Sequence, residues 1–416
     1  MLDNITVHDV ILRLNNREKG VSALVGDNKD GWGTKIAWNP IESFKPNSED
    51  PFVVADEFDK FVSAQKSLNR LVIGFITYDF GCLLQEVDLT SEDVLNLPGI
   101  HAYSYENWIE FSESGMSITG NSPEFADGVS ELLKRDVSPT PKNLYKDTLS
   151  PIDSKSNYLD SFNKLKTYIK DGDVYQVNLS QWFEGSTDRS GKQIFSSLSS
   201  VSNSNFQAYI ELGGKEILSF SPERFISVRD NKISTMPIKG TRPRGSSEQE
   251  DKFVADELYG NEKEKAELDM IIDLSRNDLG KICTPGSVKV SERRTISYHP
   301  TIIDAHGKVE GTLLDNVNSV QALISMMPGG SITGCPKRSA IEIIDSLETK
   351  RRGIYTGSIF VVTPSGKLDS NIAIRTMTKI ADKLYLPVGG GIVYDSNGNS
   401  EYEETLLKAK SILSLR

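Results

Sequence analysis

Apolar residues at Tyr158, Phe162, Leu165 and Ile169 recur at helical spacing through SNYLDSFNKLKTYIKDGD. The pattern predicts an amphipathic helix capped by Ser156 or Asn157 and stopped by Gly172. Downstream the period changes. VYQVNLSQWFEG, NFQAYIELGGKEILSFSPERFISVRDNKISTMPIKG and GIYTGSIFVVT are β-branched and aromatic runs cut by Gly-Gly and Asp-Asn, which reads as hairpins of a large, mostly antiparallel sheet. Helical stretches, NEKEKAELDMIIDLSRNDLG and PKRSAIEIIDSLETKRRG, are interleaved with these strands. Nearer the start, RLVIGFITYDF and SYENWIEFS also read as strands. The Ser-, Pro-, Thr- and Asp-rich RDVSPTPKNLYKDTLSPIDSKSNYLD carries little apolar periodicity and reads as a connection. A boundary is expected near residue 150, dividing 1–150 from 151–416.

At 416 residues the chain has room for one or two domains, and 38% hydrophobic with 25% charged residues is ordinary for a globular protein. MLDNITVHDVILRL lacks a basic stretch followed by an apolar one, and no segment approaches the roughly 18 apolar residues of a membrane span. A cytoplasmic protein without a membrane span is expected. Cys82, Cys283 and Cys335 are too scattered for a disulfide framework or a CxxC metal site. A net charge of −11 argues against a nucleic-acid partner, which would need clustered Lys and Arg.

Candidate chemistry starts at Lys239, at the end of a strand in STMPIKGTRPRG. If Asp230, Asn231 and Lys232 form the hairpin loop, Arg229 falls opposite Ile233 and Glu223 opposite Lys239, bringing an acid and an amine together. The plain alternative is a surface ion pair worth about 1 kcal/mol or less, and a slip of one residue would turn the two side chains to opposite faces. Glu264 with Glu267, and Glu401 with Glu404, are spaced three apart on helical stretches, so each pair points one way. Two such helices face to face would call for a cation, and oxygen ligands suit Mg²⁺; apart, they are ordinary solvated faces. MMPGGSITGCPKRSA runs a glycine turn into a helix but is not a phosphate-binding loop, because Cys335 stands where lysine is required. Arg375, in NIAIRTMT, would need a carboxylate partner or a ligand if buried.

Taken in order, GDVYQVNLSQWF, SPERF, PIKGTRPRG, AELDMIIDLSRNDLGKICTPGSV, PGGSITGCPK, RRGIYTGSI, IAIRT, GGGIVYDS and EYEET resemble the chorismate-utilising enzymes, the group of anthranilate, aminodeoxychorismate, isochorismate and salicylate synthases. The likeness runs from residue 156 to 416 and is loose before 150. It implies an α+β fold of large, mostly antiparallel β-sheets packed as a sandwich with helices outside. It further implies that Glu267 and Glu404 bind Mg²⁺ directly, with Glu264 and Glu401 acting through its waters. Tyr355, Arg375, the backbone of Gly389, Gly390 and Gly391, and Lys408 would bind the carboxylates of chorismate. Gln176, Gly240, Thr241 and Ser331 would complete the substrate site, and Glu223 would protonate the departing C4 hydroxyl.

Lys239 stands where anthranilate synthases carry alanine. By resemblance PIKGT is the aminodeoxychorismate synthase form, in which the uncharged lysine amine adds at C2 before ammonia adds at C4 and expels it. Gln176 stands where the water-using relatives have a lysine base, which favours ammonia. No Gly-x-Cys-x-Gly glutaminase elbow occurs, so ammonia is expected from a separate class I glutamine amidotransferase subunit. Asp304 stands where many relatives have histidine, with His306 two residues on, and neither joins the expected catalytic set. The alternatives are anthranilate synthase chemistry and a catalytically silent chorismate-binding regulatory subunit.

Overall fold

The computed structural model describes residues 5–26, 32–137, 149–299 and 302–413. Within them, two antiparallel sheets carry the fold. The first runs in the order Gly334–Cys335, Gln176–Ser186, Lys383–Ile392, Thr376–Ile380, Lys215–Ser221, Phe206–Leu212, Ser22–Val25, Thr34–Ala37, Trp108–Ser112, Gly115–Thr119. The second runs Ile238–Pro243, Ile302–Thr312, Lys232–Thr235, Arg224–Arg229, Leu368–Asn371, Ser358–Val362, Leu71–Ile76, Ile100–Tyr105, Glu42–Ser43. Strands from either side of residue 150 share both sheets: Ser22–Val25 pairs with Phe206–Leu212, and Leu71–Ile76 pairs with Ser358–Val362. Of the expected connection, residues 138–148 lie outside the described residues.

Strand alternation explains the layering. Along Phe206–Leu212, Ala208 and Ile210 point into a core shared with Leu24, Ile73, Phe75, Ile359 and Val361, while Tyr209 packs on the other face with Phe195 and Phe220. Along Leu71–Ile76, Ile73 and Phe75 face that same inter-sheet core and Val72 and Ile76 face the helices behind. Every residue of Leu71–Ile76 is buried, because one face meets a sheet and the other a helical layer. Full burial of each such large apolar side chain contributes roughly 1.5–3 kcal/mol. The sandwich and its outer helices follow from that two-sided burial.

The helix Lys155–Asp171 buries Tyr158, Phe162, Leu165 and Ile169 and ends on Gly172 at φ 85°. Its cap is Ser154, not Ser156 or Asn157: the Ser154 hydroxyl accepts the Asn157 N–H, so the cap sits where a side-chain oxygen reaches the third helical amide. The hairpin at Arg224–Arg229 also departs from expectation. Arg229 pairs with Lys232 and Val228 with Ile233, so the turn is the two residues Asp230 and Asn231, at φ 48° and 60°. Asp and Asn tolerate this left-handed conformation, and a turn of that kind matches the twist of the flanking strands better than a three-residue loop.

Candidate active site

That one-residue difference removes the expected cross-strand pairing of Glu223 with Lys239. The two side chains nevertheless share a site. The hairpin ladder stops at Ser234, and Ile238–Pro243 pairs instead with Ile302–Thr312, with a register break between Ile238 and Thr241. Gly240, at φ 84°, supplies the backbone conformation inside that break. Both Glu223 and Lys239 then line one cavity of about 180 Å³.

Ser331, Tyr355, Arg375, Lys408 and the backbone of Gly389–Gly391 line the same cavity. Glu223 is 8% exposed. Burial pushes its carboxyl up to about 7, against the opposing pull of Lys239 and of the Ile238 N–H, with the Asp304 charge adding to the rise. Among the described residues no hydrogen bond or ion pair holds the Lys239 amine. Arg375, at φ 50°, turns its half-buried guanidinium into the cavity with no carboxylate partner among the described residues, and burial lowers its pKa. Lys408 Nζ donates to the Gly389 carbonyl at 3.0 Å and pairs with Glu404 at 2.7 Å. Burial holds the Tyr355 hydroxyl well above its usual pKa, so it stays a neutral donor. One acid, one amine and an unpaired guanidinium thus converge on a pocket suited to an anionic ligand.

Some expected residues lie outside this lining. Gln176 is buried beneath the glycine strand, where a Cβ on Gly391 would come within 3.0 Å of its Nε2. Thr241 is exposed, opposite Asp304 on the neighbouring strand. Gly240 backs onto Leu258 and Glu264. The register break explains all but the first: once Lys239 enters the cavity, the next two residues turn away. Asn178, Ile332, Ile374 and Val388 were not anticipated and do line the cavity. The alternation of Gln176, Asn178 and Ser180 along one strand face was the available signal for Asn178. Asp304 and His306 form a buried cluster beside the site: Asp304 bonds His306 Nδ1 at 3.2 Å and His299 Nε2 at 2.8 Å, and His306 Nε2 meets Glu292 at 3.2 Å.

None of the four glutamates is in the cavity lining. Glu264 and Glu267 lie on the helix Glu262–Gly280, and Glu401 and Glu404 on Gly398–Leu413. Among the described residues no three His, Cys, Asp or Glu side chains gather as a metal-holding group. Glu264 is bonded to Arg242 at 3.0 Å and Glu404 to Lys408. A Cβ on Gly390 would stand 3.4 Å from a Glu401 oxygen and 3.9 Å from one of Glu404, and burial together with Glu404 raises the Glu401 pKa. In residue type this donor set fits a hard divalent cation, while two of its carboxylates hold basic side chains instead.

Comparison with known proteins shows the family. The family model described as chorismate binding enzyme matches residues 22–414. The chain is 42% identical over 260 residues to "Aminodeoxychorismate synthase component 1" of Salmonella typhimurium, covering 62% of this chain and 57% of that protein. It is 34% identical to the protein of the same name in Bacillus subtilis, covering 81% and 75%, and 32% identical to "Anthranilate synthase component 1 1" of Haloarcula marismortui, covering 82% and 75%. The chain thus spans little more than half the length of the Salmonella relative. The crystal structure of anthranilate synthase component I from Streptococcus pneumoniae superposes with a TM-score of 0.79 at 25% identity, over 99% of both chains. No helix among the described residues is long and apolar enough to cross a membrane. From the sandwich, the acid–amine cavity and these matches, the chain belongs to the family of chorismate-binding enzymes.

Proposed function

We propose that this chain performs the reaction of aminodeoxychorismate synthase component I, converting chorismate and ammonia to 4-amino-4-deoxychorismate for p-aminobenzoate and folate synthesis. The observation that carries the reading is the buried acid Glu223 facing the same cavity as an amine, Lys239, that no other described side chain holds. Arg375, Lys408 and Tyr355 offer donors to the two carboxylates of chorismate. The Lys239 nitrogen lone pair bonds to ring C2, both double bonds of the ring diene shift, and the C4–O bond breaks as Glu223 passes its proton to the leaving oxygen. The proton shed by the attacking amine restores Glu223. Ammonia then bonds to C4, both ring double bonds shift back, and the C2–N bond breaks. Glu223 protonates the departing lysine nitrogen and regains a proton from the new ammonium. The net products are the amino compound and water.

Mg²⁺ belongs to the proposal: Glu267 and Glu404 would hold it directly and Glu264 and Glu401 through waters, and when bound it would supply positive charge to a substrate carboxylate. In the structure Glu264 and Glu404 hold Arg242 and Lys408, which would compete with the ion for those carboxylates. A separate class I glutamine amidotransferase subunit as ammonia source, in keeping with "component 1" in the relatives' names, and a cytoplasmic location complete the reading.

Chorismate, ammonium and Mg²⁺ with the purified chain, followed by mass spectrometry of the product, test it. Aminodeoxychorismate is expected. Fluorescent anthranilate would move the assignment to anthranilate synthase chemistry, and chorismate binding without turnover would leave a regulatory subunit.

A further inference from the structure

Behind the cavity wall lies a charged pair that nothing above uses. Arg352 and Glu348 are 1% and 8% exposed, and neither lines the cavity. Arg352 Nε donates to Glu348 Oε2 at 2.9 Å and Nη2 to Oε1 at 2.7 Å. The same guanidinium reaches further: Nη1 donates to the Ile332 carbonyl at 3.0 Å and Nη2 to the Asn178 carbonyl at 2.7 Å. Glu348 Oε1 accepts the Ser180 N–H at 2.9 Å. The guanidinium stacks 4.6 Å from the Tyr78 ring centre and 5.8 Å from that of Tyr355.

We propose that Arg352 and Glu348 are positioning residues that hold the substrate-facing wall of the cavity in register. Through one buried fork they tie together three lining elements: the strand carrying Asn178, the turn carrying Ser331 and Ile332, and Tyr355. Asn178 shows the consequence. It is 7% exposed, lines the cavity, and its Oδ1 has no hydrogen-bond partner among the described residues. The carbonyl of Asn178 is held by Arg352 and the amide two residues on by Glu348, so the backbone that carries its side chain is fixed from both sides. Gly389 leaves room for it, since a Cβ there would lie 2.6 Å from Asn178 Oδ1.

Stability alone does not account for such a pair. Desolvating two charges costs about what their attraction returns, and apolar replacements of similar volume are often neutral. An apolar pair cannot, however, satisfy the Ile332 and Asn178 carbonyls or the Ser180 amide. Lys239 lies on Ile238–Pro243 of the other sheet and Glu223 just before Arg224–Arg229, while the hydrogen bonds of the pair run to Asn178, Ser180, Ile332 and Thr356. Loss of the clamp therefore falls on ring binding more than on the chemical step.

The inference rests on the reading that this cavity takes chorismate. Its test compares wild type, R352M/E348L and R352K as full chains by thermal midpoint, steady-state kinetics and hydrogen exchange. The double variant is expected to melt several degrees below wild type but to remain folded at assay temperature, because the Ile332 and Asn178 carbonyls and the Ser180 amide lose their partners while the removed charges no longer need desolvating. Its kcat/KM is expected to fall about 100-fold, mostly through KM. R352K, which keeps the charge but not the fork, is expected to lose about tenfold. Without any ligand, the segments 176–186 and 330–335 of the double variant are expected to exchange about tenfold faster, as their anchoring bonds are gone. A folded double variant with unchanged KM, or with unchanged exchange in those segments, overturns the inference. If wild type neither binds nor consumes chorismate, the proposed function fails on its own, and the exchange data still decide whether the pair holds the wall.

Discussion

Replacing Glu223 by Gln is expected to make the protein more stable and less active, and the two effects share one cause. The carboxyl moves from an ordinary 4.5 to about 7 because it is buried. At ~1.4 kcal/mol per pH unit, the folded protein disfavours the charged form by about 3 kcal/mol. The sign follows from proton counting. Below pH 4.5 the group is protonated in both folded and unfolded chains and contributes nothing. As pH rises the unfolded chain ionises first, so stability declines between about 4.5 and 7 and then levels off. The amide of the Glu223→Gln variant never ionises and escapes that loss. Denaturant unfolding should show the variant gaining about 3 kcal/mol at pH 8 and under about 1 kcal/mol at pH 5. Meanwhile turnover, measured at constant free ammonia, should drop by about 100-fold or more, since the proton donor is gone. In wild type, kcat should fall as pH rises through about 7, where the acid form is lost. A stability gain equal at both pH values, or a Gln variant that still turns over normally, refutes the argument that burial keeps this acid protonated for its task.

Further outcomes follow from the same site. Intact-mass spectrometry should detect a covalent ring adduct on the wild type incubated with chorismate and none on Lys239→Ala, and normal aminodeoxychorismate synthesis by that variant would remove the lysine from the mechanism. Arg375→Met should raise KM for chorismate by a factor equivalent to about 1.5–3 kcal/mol with no loss of thermal stability, because the guanidinium has no protein partner to strand; a lowered melting temperature at unchanged KM would contradict this. Calorimetric titration with Mg²⁺ alone should show binding that Glu404→Gln weakens about tenfold, with the released Lys408 as the competing cation; equal affinity in both proteins would take Glu404 out of the metal set.

Much was legible locally. The helical period of Tyr158, Phe162, Leu165 and Ile169, the β-branched and aromatic run through Phe206–Leu212 and the Gly-Gly turn at Gly213 and Gly214 are short-range properties, and the structure keeps each of them. The presence of a lysine before Gly240 and of two carboxylate pairs three apart is likewise plain in the order of residues. Register is different. Whether the turn after Arg229 spans two residues or three decides which side chain faces which, and that depends on how strand twist suits Asp230 and Asn231. Glu223 and Lys239 meet through a break in pairing and a change of partner strand, which only the assembled sheet contains.

The clamp made by Arg352 and Glu348 shows the same limit. As residues four apart they look like an ordinary helix pair, and only long-range packing brings the carbonyls of Ile332 and Asn178 within reach. Sequence alone determined the element types and the chemical groups available, because propensity and periodicity act over a few residues. Tertiary structure decided which of those groups are desolvated together, because burial and proximity depend on chain segments far apart in order.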